Sequence, residues 1–245
     1  MNKINLKNIN MLRQVLQQYR ELTFNSNKFF YYSYGKLDIK IQAILKSSNK
    51  TYEDIEDLIS IDDLLNISIS FDELTILFGC KRIETKTLNN IIKNISNNSS
   101  MIINNEFEDE TYILFVYKGV TIDRKNKSIH IEFNDDAIRL FENIRTMPFC
   151  RIDFEDILNL ENKYQMNLYL YALTILRGSE GVITMKIENL RNILGENSVI
   201  DDYNFINRFI TKPAKEITEN NNINLDIHIV RAKSNIKIRV NRLLK

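Results

Sequence analysis

Asn204, Asn207, Arg208, Thr211, Lys212 and Lys215 fall on the side of a helical segment opposite Ile206, Phe209, Ile210, Pro213 and Ile217. Amide and guanidinium groups so grouped can read base edges. Asn bridges adenine and Arg bridges guanine in a major groove, whereas Lys holds phosphate without selecting a base. Downstream, Leu225, Ile227 and Ile229 alternate with Asp226 and His228, and Ile236, Ile238 and Val240 alternate with Lys237 and Arg239. This period of two predicts two strands joined through Arg231-Ala232-Lys233-Ser234-Asn235, a hairpin with a basic tip. Arg231, Lys233, Lys237 and Arg239 would then contact phosphate or a minor groove beside the helix, as one continuous basic footprint. A second candidate set, Lys86, Asn89, Asn90 and Lys93, points outward from a stripe formed by Leu88, Ile91, Ile92 and Ile95.

Other chemistries lack their residues. There is no Gly-x-x-x-x-Gly-Lys run and the chain has six glycines in all, so no phosphate-cradling loop is expected. Metal-dependent nicking would need clustered histidines near a nucleophilic tyrosine, yet His130 and His228 are far apart and read as ordinary strand residues. The acid pairs Asp62-Asp63, Asp135-Asp136 and Asp201-Asp202 stand ahead of helical segments, where capping is the expected role. Cys80 and Cys150 are too few for a zinc site and are expected as reduced thiols. No cofactor, metal or catalytic residue is called for. Tyr19, Phe29, Phe30, Tyr31, Tyr32 and Tyr34 cluster near the basic N-terminal segment; such rings can stack on single-stranded bases, but packing in a core is the expected use.

At 245 residues, with 44% hydrophobic and 27% charged residues, the chain suits two small globular domains. It has no apolar stretch of roughly 20 residues and no signal-peptide core near its start, so a cytoplasmic location without membrane insertion is expected. The net charge of +1 conceals an uneven distribution. Residues 203–245 carry nine basic side chains against three acidic, and residues 1–46 carry eight against two, whereas the segment from Glu53 to Glu73 is acidic.

The elements that would position these residues recur in one order. Leu37, Ile41, Ile44 and Leu45 give a first helix over 36–46. Ser70 and Glu73 have capping-box spacing ahead of a short second helix closed by Gly79, and Leu88 to Ile95 give a third. Strands follow over 112–122 and 128–133, turning at Asp123 to Lys127. From Tyr164 the layout repeats: a helix lined by Leu168, Ala172, Ile175 and Leu176, a short one with Ile187, Leu190 and Leu194 closed by Gly195, and a third capped by Asp201 or Asp202 and running to about Asn220. Pro213 is expected to kink this last helix. Three helices and a hairpin make a winged helix. The fold class read from the sequence is therefore α+β, with two tandem winged-helix domains over 1–146 and 147–245, parted at Met147-Pro148 after a connecting helix over 135–144.

Tyr203-x-Phe205, then Phe209-Ile210-x-x-Pro213-Ala214-x-Glu216-Ile217, together with Phe149 to Leu160, Asn162-Lys163-Tyr164 and Leu168-Tyr169, resemble the iteron-binding plasmid replication initiators, the Rep proteins with two winged-helix domains. The resemblance spans residues 29–245, is specific in the second half, and fits the first through Phe71 to Gly79 and Leu88 to Ile103. It implies binding of double-stranded DNA at tandem origin repeats, opening of adjacent AT-rich DNA, recruitment of host replication proteins, and a monomer that initiates with a homodimer that represses or is inactive. Arg208 matches a basic position of the family's recognition helix. The wing departs from the family pattern in having no glycine between Arg231 and Asn235. Two other classes share these features: a winged-helix transcriptional regulator, whose sites would be palindromic or scattered, and a protein-interaction module, which would show no salt-dependent DNA affinity.

Overall fold

The stripe over residues 36–46 is only the second half of its helix. In the computed structural model, which describes residues 6, 8–18, 22–51, 54–55, 64–98, 100–105, 110–196, 200–230 and 235–243, the helix runs from Phe24 to Ser47 and is capped by Thr23, whose side chain accepts from the Ser26 amide. Phe29, Phe30, Tyr31, Tyr32 and Tyr34 fill its first half and are all buried. With apolar rings on every side, that half shows no amphipathic stripe, which is why the pattern starts late. Tyr34 stacks on Phe141 at 4.6 Å and Phe30 meets Tyr31 edge-on at 5.3 Å. Rings so enclosed cannot receive unpaired bases; Tyr19 lies outside the described residues.

Strand β1 (Asn8–Leu12) and helix α1 (Arg13–Gln18) precede this helix, α2. There follow β2 (Asn66–Ser70), α3 (Phe71–Phe78) and α4 (Thr85–Asn97). The expected capping box is present: Glu73 N–H donates to Ser70 Oγ at 3.2 Å, and Ser70 N–H donates to Glu73 Oε2 at 2.7 Å. Gly79 closes α3 at φ 64°, a left-handed position that favours glycine. The segment expected as one strand over 112–122 is two, β4 (Glu110–Phe115) and β5 (Tyr117–Asp123). Buried Val116 parts them, because β4 turns away to pair with β3 (Ser100–Asn105), leaving β5 to pair with β6 (Ser128–Phe133). The sheet order β2-β6-β5 and helices α2, α3 and α4 complete one winged helix, followed by α5 (Asp136–Thr146).

The second unit comprises β7 (Phe149–Asp153), α6 (Phe154–Asn159), α7 (Lys163–Ile175), β8 (Glu180–Lys186) and α8 (Ile187–Leu194), which Gly195 closes at φ 65°. Helix α9 (Asp202–Ile206), a π-helical turn (Asn207–Thr211) and α10 (Lys212–Asn220) follow, then β9 (Ile223–Val230) and β10 (Asn235–Arg242) in a sheet of order β8-β10-β9. Here too α2, α3 and α4 have counterparts in α7, α8 and the α9–α10 segment.

The two units are sewn together. β1 pairs antiparallel with β7 from Asn8 opposite Asp153 to Leu12 opposite Phe149. Arg13 donates its guanidinium to Leu176 O at 2.5 Å, Lys28 Nζ donates to Leu158 O at 3.1 Å, and the Tyr32 and Phe154 rings lie 5.4 Å apart. Cys80 and Cys150 are unpaired thiols, and among the described residues no helix is long and apolar enough to cross a membrane.

Candidate nucleic-acid interface

The third helical segment of the second unit is shaped by a mismatch of periods. Its buried side chains are Phe205, Phe209, Pro213 and Ile217 in one row and Ile206, Ile210 and Ala214 in the other, each row stepping by four residues. In a straight α-helix a step of four overshoots a full turn by about 40°, so the Phe205 row would drift about 120° around the axis. The π-helical turn absorbs most of this drift. Lys212 N–H reaches back five residues to Asn207 O, one more than an α-helix allows. The wide turn also sits immediately before Pro213, which has no N–H and whose ring presses on the carbonyl four residues back. Proline is thus accommodated without ending the segment, and the departure from regular α-helix that Pro213 led one to expect takes the form of this π-helical turn.

Because the apolar rows stay on one side, Asn204, Asn207, Arg208, Thr211, Lys212 and Lys215 are all exposed on the other. They are not equally disposable. Asp201 caps α9, accepting from Asn204 N–H at 3.0 Å and from the Asn204 side-chain amide at 2.6 Å, so that amide is engaged at the cap. These bonds hold the Asp201 carboxyl below its usual range. Lys212 and Lys215 make loose 3.8 Å pairs with Glu216 and Glu219 one turn on. Exposed pairs of this kind contribute about 0.3–0.5 kcal/mol and are readily exchanged for phosphate. Arg208 holds its guanidinium 5.6 Å from the Phe209 ring. Tyr203, 75% exposed, stands beside them and was missed from the sequence. The available signal was an aromatic residue placed off the apolar rows.

The hairpin behaves differently from expectation. Ile236, Ile238 and Val240 are buried, and α10 packs on β9 from that side. Lys237, between Thr184 and His228, and Arg239, between Val182 and Asp226, therefore face away from the helices. The continuous footprint expected of helix and ribbon is not assembled by these two residues. Arg231 and Lys233 lie outside the described residues. His228 is 2.9 Å from Asp226 on its own strand, and among the described residues no group of three potential ligands could hold a metal ion.

In the first unit, Leu88, Ile91 and Ile95 anchor α4, leaving Lys86, Asn89, Asn90 and Lys93 exposed. Helix α4 packs against α2, and α3 is tied to that same helix through Glu73. That carboxylate accepts from Tyr32 Oη at 2.6 Å and Lys36 Nζ at 2.7 Å as well as from Ser70. Burial alone would raise its pKa, but Lys36, Tyr32 and Ser70 outweigh burial and hold it at about 2. A second basic feature, read from the sequence only as a turn, is the exposed tip Arg124-Lys125-Asn126-Lys127 between β5 and β6. Asp123 folds it by accepting from Asn126 N–H at 2.9 Å and its amide at 2.7 Å, and Lys127 O accepts from Phe71 N–H at 2.8 Å, tying this wing to α3.

The acid pairs divide. Asp201 caps as expected, Asp135 precedes α5 without a side-chain cap bond, and Asp62-Asp63 lie outside the described residues.

A family model described as initiator replication protein, WH1, matches residues 10–172. No curated protein sequence matches. Among solved structures, 23 chains match. One is the Pi initiator protein, crystallised in complex with iteron DNA, with a TM-score of 0.64 at 11% identity over 99% of this chain and 100% of that chain. Another contains domains 2 and 3 of RctB, with a TM-score of 0.45 at 10% identity over 80% of this chain and 84% of that one. The likeness to the Pi initiator is one of fold, an α+β arrangement of two winged-helix units.

Proposed function

Because the chain belongs to the initiator replication protein family, we propose that it starts replication by binding tandem repeats in double-stranded DNA at an origin, with one reading unit in residues 1–146 and another in 147–245. The observation that carries this reading is that both third helical segments turn a polar and cationic face to solvent while Leu88, Ile91 and Ile95 in one and Pro213, Ala214 and Ile217 in the other are buried in the core. In helix-turn-helix docking such a face enters the major groove. Asn207 and Arg208 are assigned base contacts; Lys212, Lys215, Lys86 and Lys93 are assigned phosphates; Asn204, Thr211, Asn89 and Asn90 border them. Arg231 and Lys233 would hold backbone at the tip of the ribbon, whereas Lys237 and Arg239, on the face turned from the helices, are assigned no contact. That the Pi initiator binds iteron DNA supports the choice of repeated sites. Opening of neighbouring AT-rich DNA, recruitment of host replication proteins and a homodimeric form complete the proposal, with deformation of the bound duplex as the physical means of opening.

Two readers placed one helical turn apart would cover successive major grooves, a site of roughly 20 base pairs. The test is a footprint on the DNA flanking the gene, with affinity for repeat and scrambled duplexes measured across salt. Protection of tandem repeats is expected. A single isolated palindrome would indicate a transcriptional regulator, and affinity independent of salt would exclude DNA binding of this kind.

A further inference from the structure

Among the described large hydrophobic side chains, Tyr203 is the most exposed, at 75% against 61% for the next, Ile113. It stands in the first turn of α9, four residues before Asn207 and therefore on the same helical face. In the proposed docking this end of the helix meets base edges. Its neighbour Asn204 cannot serve freely there, since its amide is tied to Asp201.

The surroundings select what the ring can meet. Asp201 and Asp202 precede it directly, and Asp202 pairs with Arg191 at 3.1 Å. Two carboxylates in the turn that carries the ring disfavour a phosphate oxygen as its partner. An apolar group on a base edge meets no such repulsion, and the major groove offers one, the 5-methyl of thymine. We propose that Tyr203 reads thymine, through contact of its ring with the 5-methyl group. This rests on the DNA-binding reading above and adds a specificity residue to it.

The experiment uses the full chain and the repeat duplex defined by footprinting, with thymines replaced one at a time by deoxyuracil, which removes only the methyl. Wild type is expected to lose about fourfold in affinity at one or two positions, the value of one buried methyl. Tyr203→Ala should bind the thymine duplex more weakly by a similar or larger factor and show no further loss with uracil at those positions. Tyr203→Phe should keep the wild-type pattern, because the ring carries the contact. Since the side chain is exposed, both variants should melt with wild type. Wild type indifferent to uracil everywhere, or Tyr203→Ala retaining uracil sensitivity at the same positions, overturns the proposal while leaving DNA binding intact. Failure of wild type to prefer repeat over scrambled duplex removes the DNA-binding reading itself.

Discussion

Replacing Glu73 by Gln removes one charge from the node that fixes the first helix-turn-helix and changes little in shape. Four donors converge on the carboxylate: Lys36 Nζ at 2.7 Å, Tyr32 Oη at 2.6 Å, and Ser70 N–H and Oγ–H at 2.7 and 3.0 Å. They lower its pKa from the ordinary 4.5 to about 2. At about 1.4 kcal/mol per pKa unit this is roughly 3 kcal/mol of preference for the ionised form in the folded state. The side chain is 27% exposed, so solvent screening reduces the expected figure to about 2 kcal/mol. An acid depressed on folding stabilises fully above its unfolded pKa, and the contribution fades as pH falls through the folded value. Urea denaturation of wild type and Glu73→Gln between pH 2 and 7 should therefore show a gap of about 2 kcal/mol at pH 6–7 that narrows below pH 4.5 and closes near pH 2. A gap of constant size across that range would mean that the loss is one of packing or shape, and the electrostatic account of the node would be refuted.

Gly181→Ala should cost about 2–4 kcal/mol, because its Cβ would lie 2.4 Å from the Ile175 carbonyl oxygen, a backbone atom that cannot step aside; an unchanged thermal melt would show that β8 can shift. Burial lowers the Lys28 pKa to about 8 despite Glu161, so wild-type stability should rise between about pH 8 and 10.5, where only the unfolded chain holds the proton. Lys28→Met should abolish that rise and gain about 1–3 kcal/mol at pH 7, and a pH profile parallel to wild type would contradict the assignment. Arg208→Ala should cost about 1–3 kcal/mol on repeat DNA and less on random DNA, whereas Lys233→Ala should weaken both alike and flatten the log-affinity against log-salt slope by about 0.9. Retention of the full specificity ratio by folded Arg208→Ala would remove that residue from base reading.

What was legible in the sequence is what is decided locally. Ser70 with Glu73, Gly79, Gly195 and Asp201 each act within a turn of their own position, and all four end or begin helices where expected. The buried rows of the α9–α10 segment were also readable, because helix face depends on spacing alone. The first half of α2 was not, since a helix buried on all sides has no polar face to mark its period. β1, β2, β7 and β8 are only five to seven residues long and acquire their identity from partners elsewhere in the chain. The π-helical turn emerges only when the four-residue rows and Pro213 are considered together. The ribbon's direction was within reach, because alternation already set Lys237 and Arg239 opposite the face on which any helix must pack.

The pairing of β1 with β7 sets an order of events during synthesis. Leu12 and Phe149 lie about 140 residues apart, and at roughly 5–20 residues per second β1 is made about 7–30 s before its partner. During that interval the whole of the first winged helix is translated, and its own contacts, such as β2 with β6 and Tyr34 with Phe141, all close shorter loops than β1 with β7, so it can fold while β1 still presents an unpaired edge. Closing the long loop then becomes a late step, made against an already ordered unit, with an entropic cost that grows only slowly with loop length. Pulse-labelled hydrogen exchange on refolding chain should accordingly find the amides of β5 and β6 protected before those of β1. The strand that comes first in the chain is the one whose place is settled last.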